Sequence, residues 1–481
     1  RIAAIGTNVG AAKTTVDGTG QVLAPGIIDS HTHYDAQITW DPTCSPSTEL
    51  GVTSVIMGNC GFCVAPCRPS DRDLTLRNLT QVEGMSLEAL RTGVRWDFET
   101  FGEYMDSVER HGVVPNCAVY CGHSTVRTWV LGQDAASRAA TAEEVSAMEE
   151  LVRDAMAHGA LGLSSTTNPQ HNGERGIPMP SRMAGPEFTP SGETDEIVRL
   201  VSASRMFMLT KGPATPIPYL ADLAEKTDKV ITTACMFHSA SHPNSTFDEL
   251  AQIDEAKARG VSLWGQVSPA PLNMEFSLAS PYPFEGLKAW QAQAMPLVLD
   301  RLAYSRLLAD AGWRAAVKAE LQLRQNGLTD LLTDENWSNI LLAEAPAADS
   351  RLVGQSVAAL ATQAGKHPLD FMLDYSLEHD LTPVFFIQLL NSDLASAGRV
   401  ISHPRMTIAC SDAGAHLTFL CDADFGLQVL GPWVRDRSLC ALNALQHLSL
   451  QLLHVIRSHS NHLSLYIHSL VYSSLVFHAS G

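Results

Sequence analysis

Two histidines near the start of the chain have the spacing of a metal site. Residues 24–35 read Ala-Pro-Gly-Ile-Ile-Asp-Ser-His-Thr-His-Tyr-Asp, which is a Gly/Pro turn and an apolar strand start followed by His31 and His33. Side chains two residues apart on a strand point to the same side of it. Imidazole is a good ligand for zinc, iron and nickel. The pattern therefore predicts that His31 and His33 chelate one divalent cation; the alternative is a pair of buried, hydrogen-bonded barrel histidines.

The elements that must position this pair alternate between short apolar runs and amphipathic segments. The apolar runs are bounded by glycine or rich in β-branched residues, as in buried parallel strands; they cover residues 51–58, 113–120, 159–164, 206–210, 230–237, 261–267 and 407–410. A helix with a capping-box start is predicted from Thr141 to Gly159. About eight strands of this kind predict an α/β fold, a closed (β/α)₈ barrel whose chemistry lies at the C-terminal ends of the strands.

A second motif narrows the interpretation. Residues 57–62 read Met-Gly-Asn-Cys-Gly-Phe and contain Cys60. With the histidine block, this motif resembles the N-acyl-D-amino-acid deacylase (D-aminoacylase) family of the amidohydrolase superfamily, which are metal-dependent barrels that hydrolyse amide and ester bonds. The resemblance covers roughly residues 1–437 and implies that Cys60 is a metal ligand, held as thiolate by the metal. A CxxC metal site formed by Cys60 and Cys63 is the competing interpretation.

The resemblance implies two further site residues on later strands. His238 stands in the place of the family's sixth-strand metal histidine, and it is preferred over His242 because it directly follows the strand. The Ser-Asp-Ala-Gly-Ala-His turn at 411–416 resembles the eighth-strand aspartate of amidohydrolases, so Asp412 is the predicted general base. One or two zinc ions are the implied cofactor. The implied mechanism is attack on an amide by metal-activated water, with Asp412 moving the proton to the leaving amine.

The sequence departs from the family pattern after the fifth strand. The D-aminoacylases have a metal histidine there, whereas this chain reads Met-Phe-Met-Leu-Thr-Lys-Gly at 206–212. Either one ligand is lost or Lys211 takes over, by donating to a polarised carbonyl or, if carbamylated, by bridging metals. Lys211 is also a candidate to bind the substrate carboxylate. His123 and Arg127 are predicted to contact the carboxylate of the substrate, because a guanidinium binds carboxylates in bidentate fashion. A structural role for His123 and Arg127 is an equal alternative.

The predicted domain organisation has four parts. Residues 1–24 are a remnant of a small β-domain, 25–268 and 403–437 form the barrel, 269–402 form a helical insertion or lid, and 438–481 form an atypical tail. The chain opens on Arg1 in mid-pattern, so its start is expected to be truncated. Residues 437–481 contain no Asp, Glu or Lys but six of the 18 histidines. An out-of-frame or misannotated exon is the preferred explanation of this tail, and a poorly charged helix is the alternative.

Composition restricts the partners. The chain of 481 residues has 33 Lys and Arg against 51 Asp and Glu, a net charge of −18, without a basic run. Nucleic acid and anionic membranes are therefore not expected partners. The ten scattered cysteines indicate a reducing, cytoplasmic setting. The sequence contains no apolar run of about 18 residues, so it predicts no membrane span.

The predicted ligand is a small-molecule N-acyl amino acid or a related amide. Two alternatives stay open: a hydantoinase-like hydrolase of another linear or cyclic amide, and an inactive protein with the amidohydrolase fold. Homo-oligomers are common among barrel amidohydrolases, and the sequence leaves that choice open.

Overall fold

The computed structural model describes residues 6–7, 9–80, 83–186, 188, 195–240, 242–323, 332, 334, 336–415, 422–438 and 474–478. Within these ranges the strands are β1 (Gln21–Pro25), β2 (Ile27–Asp29), β3 (Val52–Met57), β4 (Asn116–Val119), β5 (Cys121–Gly122), β6 (Leu163–Thr166), β7 (Met206–Thr210), β8 (Val230–Ala234), β9 (Leu263–Val267), β10 (Leu272–Phe276), β11 (Ile340–Glu344), β12 (Val384–Leu390), β13 (Met406–Ile408) and β14 (Ser474–His478). The α-helices are α1 (Arg72–Asn78), α2 (Leu87–Gly93), α3 (Phe101–His111), α4 (His123–Leu131), α5 (Ala142–Ala157), α6 (Asp195–Ala203), α7 (Ile217–Thr227), α8 (Ser245–Ala258), α9 (Arg301–Leu308), α10 (Ala311–Leu323), α11 (Val357–Ala364), α12 (Pro368–Glu378), α13 (Leu394–Ile401) and α14 (Phe425–Gln428).

Parallel strands of the described chain form the barrel in two sheets, with the orders β2-β3-β4 and β13-β9-β8-β7-β6-β5. β4 and β5 are two parts of one bent strand, because only Tyr120 separates them. The Tyr120 N–H donates to the carbonyl of Met57 in one sheet, and the Cys121 N–H donates to the carbonyl of Gly162 in the other, each at 2.9 Å. This bent strand therefore joins the two sheets.

The segment that carries the paired histidines makes the second junction. The His33 N–H donates to the carbonyl of Ala413 at 2.8 Å, and the Asp412 N–H donates to the carbonyl of His31 at 3.2 Å. β2 and β13 thus meet through the residues that follow each strand. The sheets close into a ring, and the predicted (β/α)₈ barrel is confirmed.

The predicted strands correspond to β3, β4, β6 to β9 and β13, and their side chains are largely buried. The helices pack outside the strands around one large hydrophobic core. α5 begins as predicted, because the Thr141 hydroxyl accepts from the Glu144 N–H and the Glu144 carboxylate accepts from the Thr141 N–H. The outer helices thus hold the strand ends in place, which is what a site at those ends requires.

The insertion between β9 and β13 has a second hydrophobic core of its own. It contains the helices α9 to α12, and also a three-stranded antiparallel sheet of order β10-β12-β11 that the prediction of a helical insertion did not include. The helical sequence at 357–380 forms two helices. Gly365 adopts a left-handed conformation (φ 64°) that ends α11, and Pro368 starts α12 at a position where its missing N–H costs nothing.

The two ends of the described chain meet in a small sheet. β1 and β14 are antiparallel, with Gln21 opposite His478 and Pro25 opposite Ser474. β14 lies within the segment predicted to be an atypical tail, and apart from Ser438 the rest of that segment lies outside the described residues. The proposed domain boundaries remain a prediction.

Among the helices that the structure describes, none has the length and apolar character needed to cross a bilayer.

Candidate metal centre

Four predicted site residues meet at the C-terminal mouth of the barrel. The Nε2 atom of His31 lies 3.2 Å from the Cys60 Sγ and 3.2 Å from the Asp412 Oδ1. The Nε2 atom of His33 lies 3.9 Å from the same Sγ and 3.4 Å from the same Oδ1. The ligand atoms of His31, His33 and Cys60 all lie within 4.8 Å of one another. These three residues and Asp412 are called the donor cluster below.

Neighbouring side chains orient both imidazoles. The Nδ1 atom of His31 lies 2.7 Å from the Gln266 Oε1, and the Nδ1 atom of His33 lies 3.3 Å from the Oε1 of the buried Glu83. An amide oxygen accepts hydrogen bonds, so the His31 Nδ1 carries a proton and its Nε2 keeps a lone pair for the cluster, while the His33 Nδ1 faces a carboxylate. Histidines that bind metal are usually held by such partners.

Cys60 is placed by the motif in which it stands. It has a left-handed backbone (φ 57°), and Gly58, two residues earlier, has φ 80°. A Cβ atom on Gly58 would lie 2.4 Å from the carbonyl oxygen of Tyr120, so only glycine fits that position. The Asn59 Nδ2 donates to the carbonyls of Thr32 and Ile56 at 3.2 and 2.9 Å, which ties this turn to the paired histidines.

Asp412 lies in the turn after β13 and also has a left-handed backbone (φ 50°). Its side chain is 19% exposed, whereas those of His31, His33 and Cys60 are buried. Non-glycine residues with positive φ are uncommon and cluster at functional sites. Asp412 is thus the member of the donor cluster that a molecule in the barrel mouth can reach. His416, at the end of this motif, lies outside the described residues.

A cavity of about 90 Å³ opens onto this carboxylate. Its barrel side is formed by the ends of β7 and β8, including Thr210 and Cys235. Its other side is formed by the insertion, through Leu272 and Met274 of β10 and Leu390 of β12. The insertion therefore forms one wall of the cavity at the barrel mouth, and its role as a lid remains a prediction.

Electrostatics at the centre favour a cation. Burial raises the pKa of the Cys60 thiol to about 12, and the neighbouring His33 offsets only part of this effect. Burial also raises the pKa of Asp29 to about 7 and that of Asp35 to about 6. Burial alone would lower the pKa of His33, but the charge of Glu83 and hydrogen bonds to Asp412 and Cys60 raise it well above its ordinary value. A divalent cation bound here would stabilise the negatively charged forms of these groups and would hold the cysteine as a thiolate.

Lys211 follows β7 and lines the cavity. Its Nζ lies 2.5 Å from the Oε1 of Glu249. The preceding residue, Thr210, donates a hydrogen bond from its hydroxyl to the Cys60 Sγ at 3.0 Å. At the end of the fifth strand, where the family has a histidine, this chain therefore has a threonine that hydrogen-bonds to the Cys60 thiol and a lysine that pairs with Glu249.

His238 lies outside the donor cluster. Its backbone is held by Asn391, which accepts from the His238 N–H at 2.8 Å and donates to the His238 carbonyl at 2.7 Å. Its buried ring packs against Phe247, with centroids 5.9 Å apart. Among the described residues, His238 belongs to no group of three ligand atoms within 4.8 Å of one another. Its role as a ligand remains a prediction.

His123 and Arg127 form a separate buried cluster with Glu196. The His123 Nε2 lies 2.7 Å from the Glu196 Oε1, and its Nδ1 lies 2.9 Å from the Ser165 Oγ. The Arg127 guanidinium pairs with both carboxylate oxygens of Glu196. His123 and Arg127 are fully buried and are not among the residues that line the cavity. This Glu196 cluster agrees with the structural alternative given above for His123 and Arg127.

Sequence reasoning missed the residues that support the donor cluster. Gln266 stands at the interior of a predicted strand, and Glu83 lies in a loop without a recognisable motif. Cys410 is a further missed candidate, because its Sγ lies within 4.8 Å of the ligand atoms of His31 and Asp412. Thr210, whose hydroxyl bonds to Cys60, was also missed. Its one signal in the sequence was that a polar residue ends an apolar strand.

Comparison with known proteins relates the chain to amidohydrolases. Residues 14–189 match the Amidohydrolase family. An uncharacterized protein of Mycobacterium tuberculosis (strain H37Rv) is 28% identical over 432 residues, which cover 86% of this chain and 69% of that protein. The D-aminoacylase of Alcaligenes xylosoxydans xylosoxydans is 40% identical over 166 residues, which cover 34% of this chain and 32% of that enzyme.

A solved structure shares the fold across nearly the whole chain. The N-acyl-D-glutamate deacylase of Bordetella bronchiseptica, complexed with zinc and a phosphonate inhibitor, superposes with a TM-score of 0.57 at 17% identity and covers 96% of this chain and 80% of its own. The predicted resemblance to the N-acyl-D-amino-acid deacylase family, the predicted barrel and the predicted amidohydrolase class of enzyme are thereby confirmed.

Proposed function

We propose that the chain is a metal-dependent hydrolase that cleaves the amide bond of N-acyl amino acids, those of D configuration included. The observation that carries the proposal is the convergence of two imidazole nitrogens, one thiol and one carboxylate beside a cavity at the barrel mouth. Amide hydrolysis near neutral pH needs an activated water and a group that moves its proton. The donor cluster can supply both.

The donor set fits zinc. His31, His33 and Cys60 offer two nitrogens and one sulfur, which is a usual zinc ligand set and leaves a coordination position open. The His31 Nδ1 is already bonded to Gln266 and the His33 Nδ1 faces the Glu83 carboxylate, so the Nε2 atoms are the ones that would bind. When bound, zinc supplies a Lewis acid that lowers the pKa of water to about 7 and polarises the scissile carbonyl. We propose one or two ions, and the zinc in the related deacylase supports this choice of metal.

Asp412 is the proposed acid and base. Its Oδ1 lies within 3.4 Å of both Nε2 atoms, and its side chain is the exposed member of the cluster. It takes the proton of the attacking water and then delivers this proton to the leaving amine. The left-handed backbone of Asp412 and its N–H bond to the His31 carbonyl fix the carboxylate against the imidazoles.

The cavity walls suggest how a substrate binds. Lys211 is the cationic side chain of the cavity lining, so we propose that it binds the substrate carboxylate. The substrate would then compete with Glu249 for the lysine ammonium group. Phe237, Leu272 and Met274 form an apolar wall suited to an acyl chain or an apolar side chain. We place His123 and Arg127 behind the site, in the Glu196 cluster, where they position strands rather than touch substrate.

The test combines metal analysis with an assay. The purified chain is loaded with zinc, its stoichiometry is measured, and amine release is followed from N-acetyl-D- and N-acetyl-L-amino acids. Bound zinc with amine release, and loss of both in Cys60→Ala, would support the proposal. A matched control is Cys67→Ala, because Cys67 is a buried thiol that bonds to Thr75 away from the cluster.

Two other outcomes would replace the proposal. Turnover of a cyclic amide without turnover of N-acyl amino acids would assign the chain to hydantoinase-like ring opening. A folded chain that binds zinc and hydrolyses neither class would be an amidohydrolase fold without the activity, and the ion pair of Lys211 with Glu249 would then be the first feature to test.

A further inference from the structure

Two cysteines outside the predicted ligand set face each other at the barrel mouth. Cys235 follows β8 and Cys410 follows β13, two strands that both pair with β9. Their Sγ atoms lie 2.9 Å apart, although the residues are separated by 175 positions in the sequence. Both are free cysteines. The barrel therefore brings two thiols from distant strands into direct contact beside the donor cluster.

The two thiols differ in access. Cys235 is half-buried and lines the cavity, so a small reagent that enters the cavity meets it. Cys410 is buried, and its Sγ lies within 4.8 Å of ligand atoms of His31 and Asp412. Two other buried thiols have different surroundings: Cys60 accepts from the Thr210 hydroxyl, and Cys67 bonds to Thr75. Cys235 and Cys410 thus have the arrangement of a half-buried thiol, accessible from the cavity, with a resolving partner.

We propose that Cys235 and Cys410 are an oxidisable pair that forms a reversible disulfide when a peroxide enters the cavity. The Cys235 sulfur attacks the peroxide, whose O–O bond breaks, giving a sulfenic acid and one water from hydrogen peroxide. The Cys410 sulfur then attacks the Cys235 sulfur, the S–O bond breaks, and a second water leaves. The peroxide accepts the two electrons that the thiols lose. A dithiol reductant reverses the reaction.

The disulfide acts on the donor cluster through the chain. Cys410 is two residues before Asp412, and Ser411 between them bonds to Asp29 through its hydroxyl. A covalent bond to β8 therefore tethers the turn that holds the proposed general base. It also replaces the Cys235 thiol in the cavity wall by a disulfide. The effect on turnover rests on the proposed function, whereas the crosslink itself does not.

The test reads the crosslink directly. The full chain, metal-loaded, is treated with a small excess of hydrogen peroxide, alkylated with iodoacetamide and digested with trypsin and an Asp-specific protease. Each thiol then falls in its own peptide, residues 230–247 and 406–411. The expected result is one linked species of these two peptides, with two fewer alkylated thiols, and its complete disappearance after dithiothreitol.

Variants make the result specific. Cys235→Ser and Cys410→Ser are each expected to abolish the linked species, and Cys67→Ser is expected to keep it. The wild-type digest needs no variant, so misfolding of a serine variant would not remove the test. Two results would overturn the proposal. One is further oxidation of Cys235 without a link. The other is that zinc protects both thiols and no link forms after the zinc is removed by a chelator, which would indicate metal ligation instead.

The activity assay separates the two proposals. If the chain hydrolyses N-acyl amino acids, peroxide is expected to lower turnover and dithiothreitol to restore it, with no such cycle in Cys235→Ser. A linked species in a chain without hydrolase activity would keep the disulfide and reject the proposed function. Hydrolysis without a linked species would do the reverse.

Discussion

The barrel contains two buried polar clusters that are bonded in different ways. In the Glu196 cluster, nitrogen and oxygen atoms meet at 2.5 to 2.9 Å, and a guanidinium, a carboxylate, an imidazole and a hydroxyl satisfy one another. In the donor cluster, two imidazole nitrogens face a thiol and a carboxylate at 3.2 to 3.9 Å. The first cluster supplies its own cation in Arg127. The second directs possible metal-ligand atoms toward a common point.

The difference separates stability from chemistry. A buried ion pair with complete hydrogen bonds contributes to one fixed arrangement of its strands, and removing either partner leaves an uncompensated charge. A set of converging donors beside a cavity stabilises little by itself and suits a cation that comes from solution. The same barrel therefore uses buried polar groups for two purposes. Substitutions in the two clusters should change different measurements.

The largest expected effect is that of Asp412→Asn on turnover. The amide keeps the size of the side chain but cannot accept the proton of the attacking water. We expect turnover to fall by about 10²- to 10⁴-fold, the range for loss of a general base, with zinc content and folding unchanged. The measurement is steady-state hydrolysis of an N-acyl amino acid by zinc-loaded protein.

Asp254→Asn is the matched control for that variant, because Asp254 is an exposed carboxylate that pairs with His403 on the outside of the barrel. It should leave turnover within a factor of about two, as surface substitutions usually do. Equal turnover in wild type and Asp412→Asn would show that another group moves the proton.

The next effect should appear in the Glu196 cluster and in stability. Arg127→Met and Glu196→Gln each leave a buried partner without its opposite charge, so we expect a loss of about 3–5 kcal/mol in the free energy of unfolding. The double variant should be more stable than the sum of the two losses predicts. Urea unfolding of the four proteins measures the cycle. Zinc binding by the variants that fold should be unaffected, and strictly additive losses would contradict the pairing.

The comparison also shows what the sequence could predict. β7 was predicted at its observed bounds because an apolar run has a clear length, and the paired histidines, Cys60 and Asp412 were found because each stands in a local motif. The support of His31 could not be found, since Gln266 is 235 residues away and only the closed barrel brings them together.

The roles of Arg127 and Glu196 depend on the same kind of long-range contact. The sequence offers an arginine near the end of a strand, and it cannot say whether this side chain faces the cavity or a helix behind it. Glu196 lies on α6, 69 residues later, and its approach decides the question. The break between α11 and α12 is a different case, because Gly365 and Pro368 were visible as local signals.

A moderate effect is expected where the two clusters are most alike, in the hydrogen bonds that orient a histidine. Gln266→Leu removes the acceptor of the His31 Nδ1 hydrogen bond, so the tautomer protonated at Nδ1 is no longer favoured. We expect zinc affinity to fall by about 10- to 100-fold, as for other partners of metal-bound histidines. Competition with a chromogenic chelator measures it. Gln363→Leu, on the exposed side of α11, is the control, and an unchanged affinity would mean that Gln266 does not orient the ring.

The smallest effect is a pH dependence confined to the Glu196 cluster. Burial alone would raise the pKa of Glu196, but the hydrogen bond from His123 and the charges of His123 and Arg127 lower it below its ordinary range. A carboxyl whose folded-state pKa is lowered adds stability above its unfolded value of about 4.3, and this stability is lost as pH falls through the folded-state pKa. The stability gap between wild type and Glu196→Gln should therefore be full at neutral pH and narrow below about pH 4. Urea unfolding of both proteins across this range measures the gap, and a gap that stays constant in acid would show that the ionised carboxylate is not what holds the cluster together.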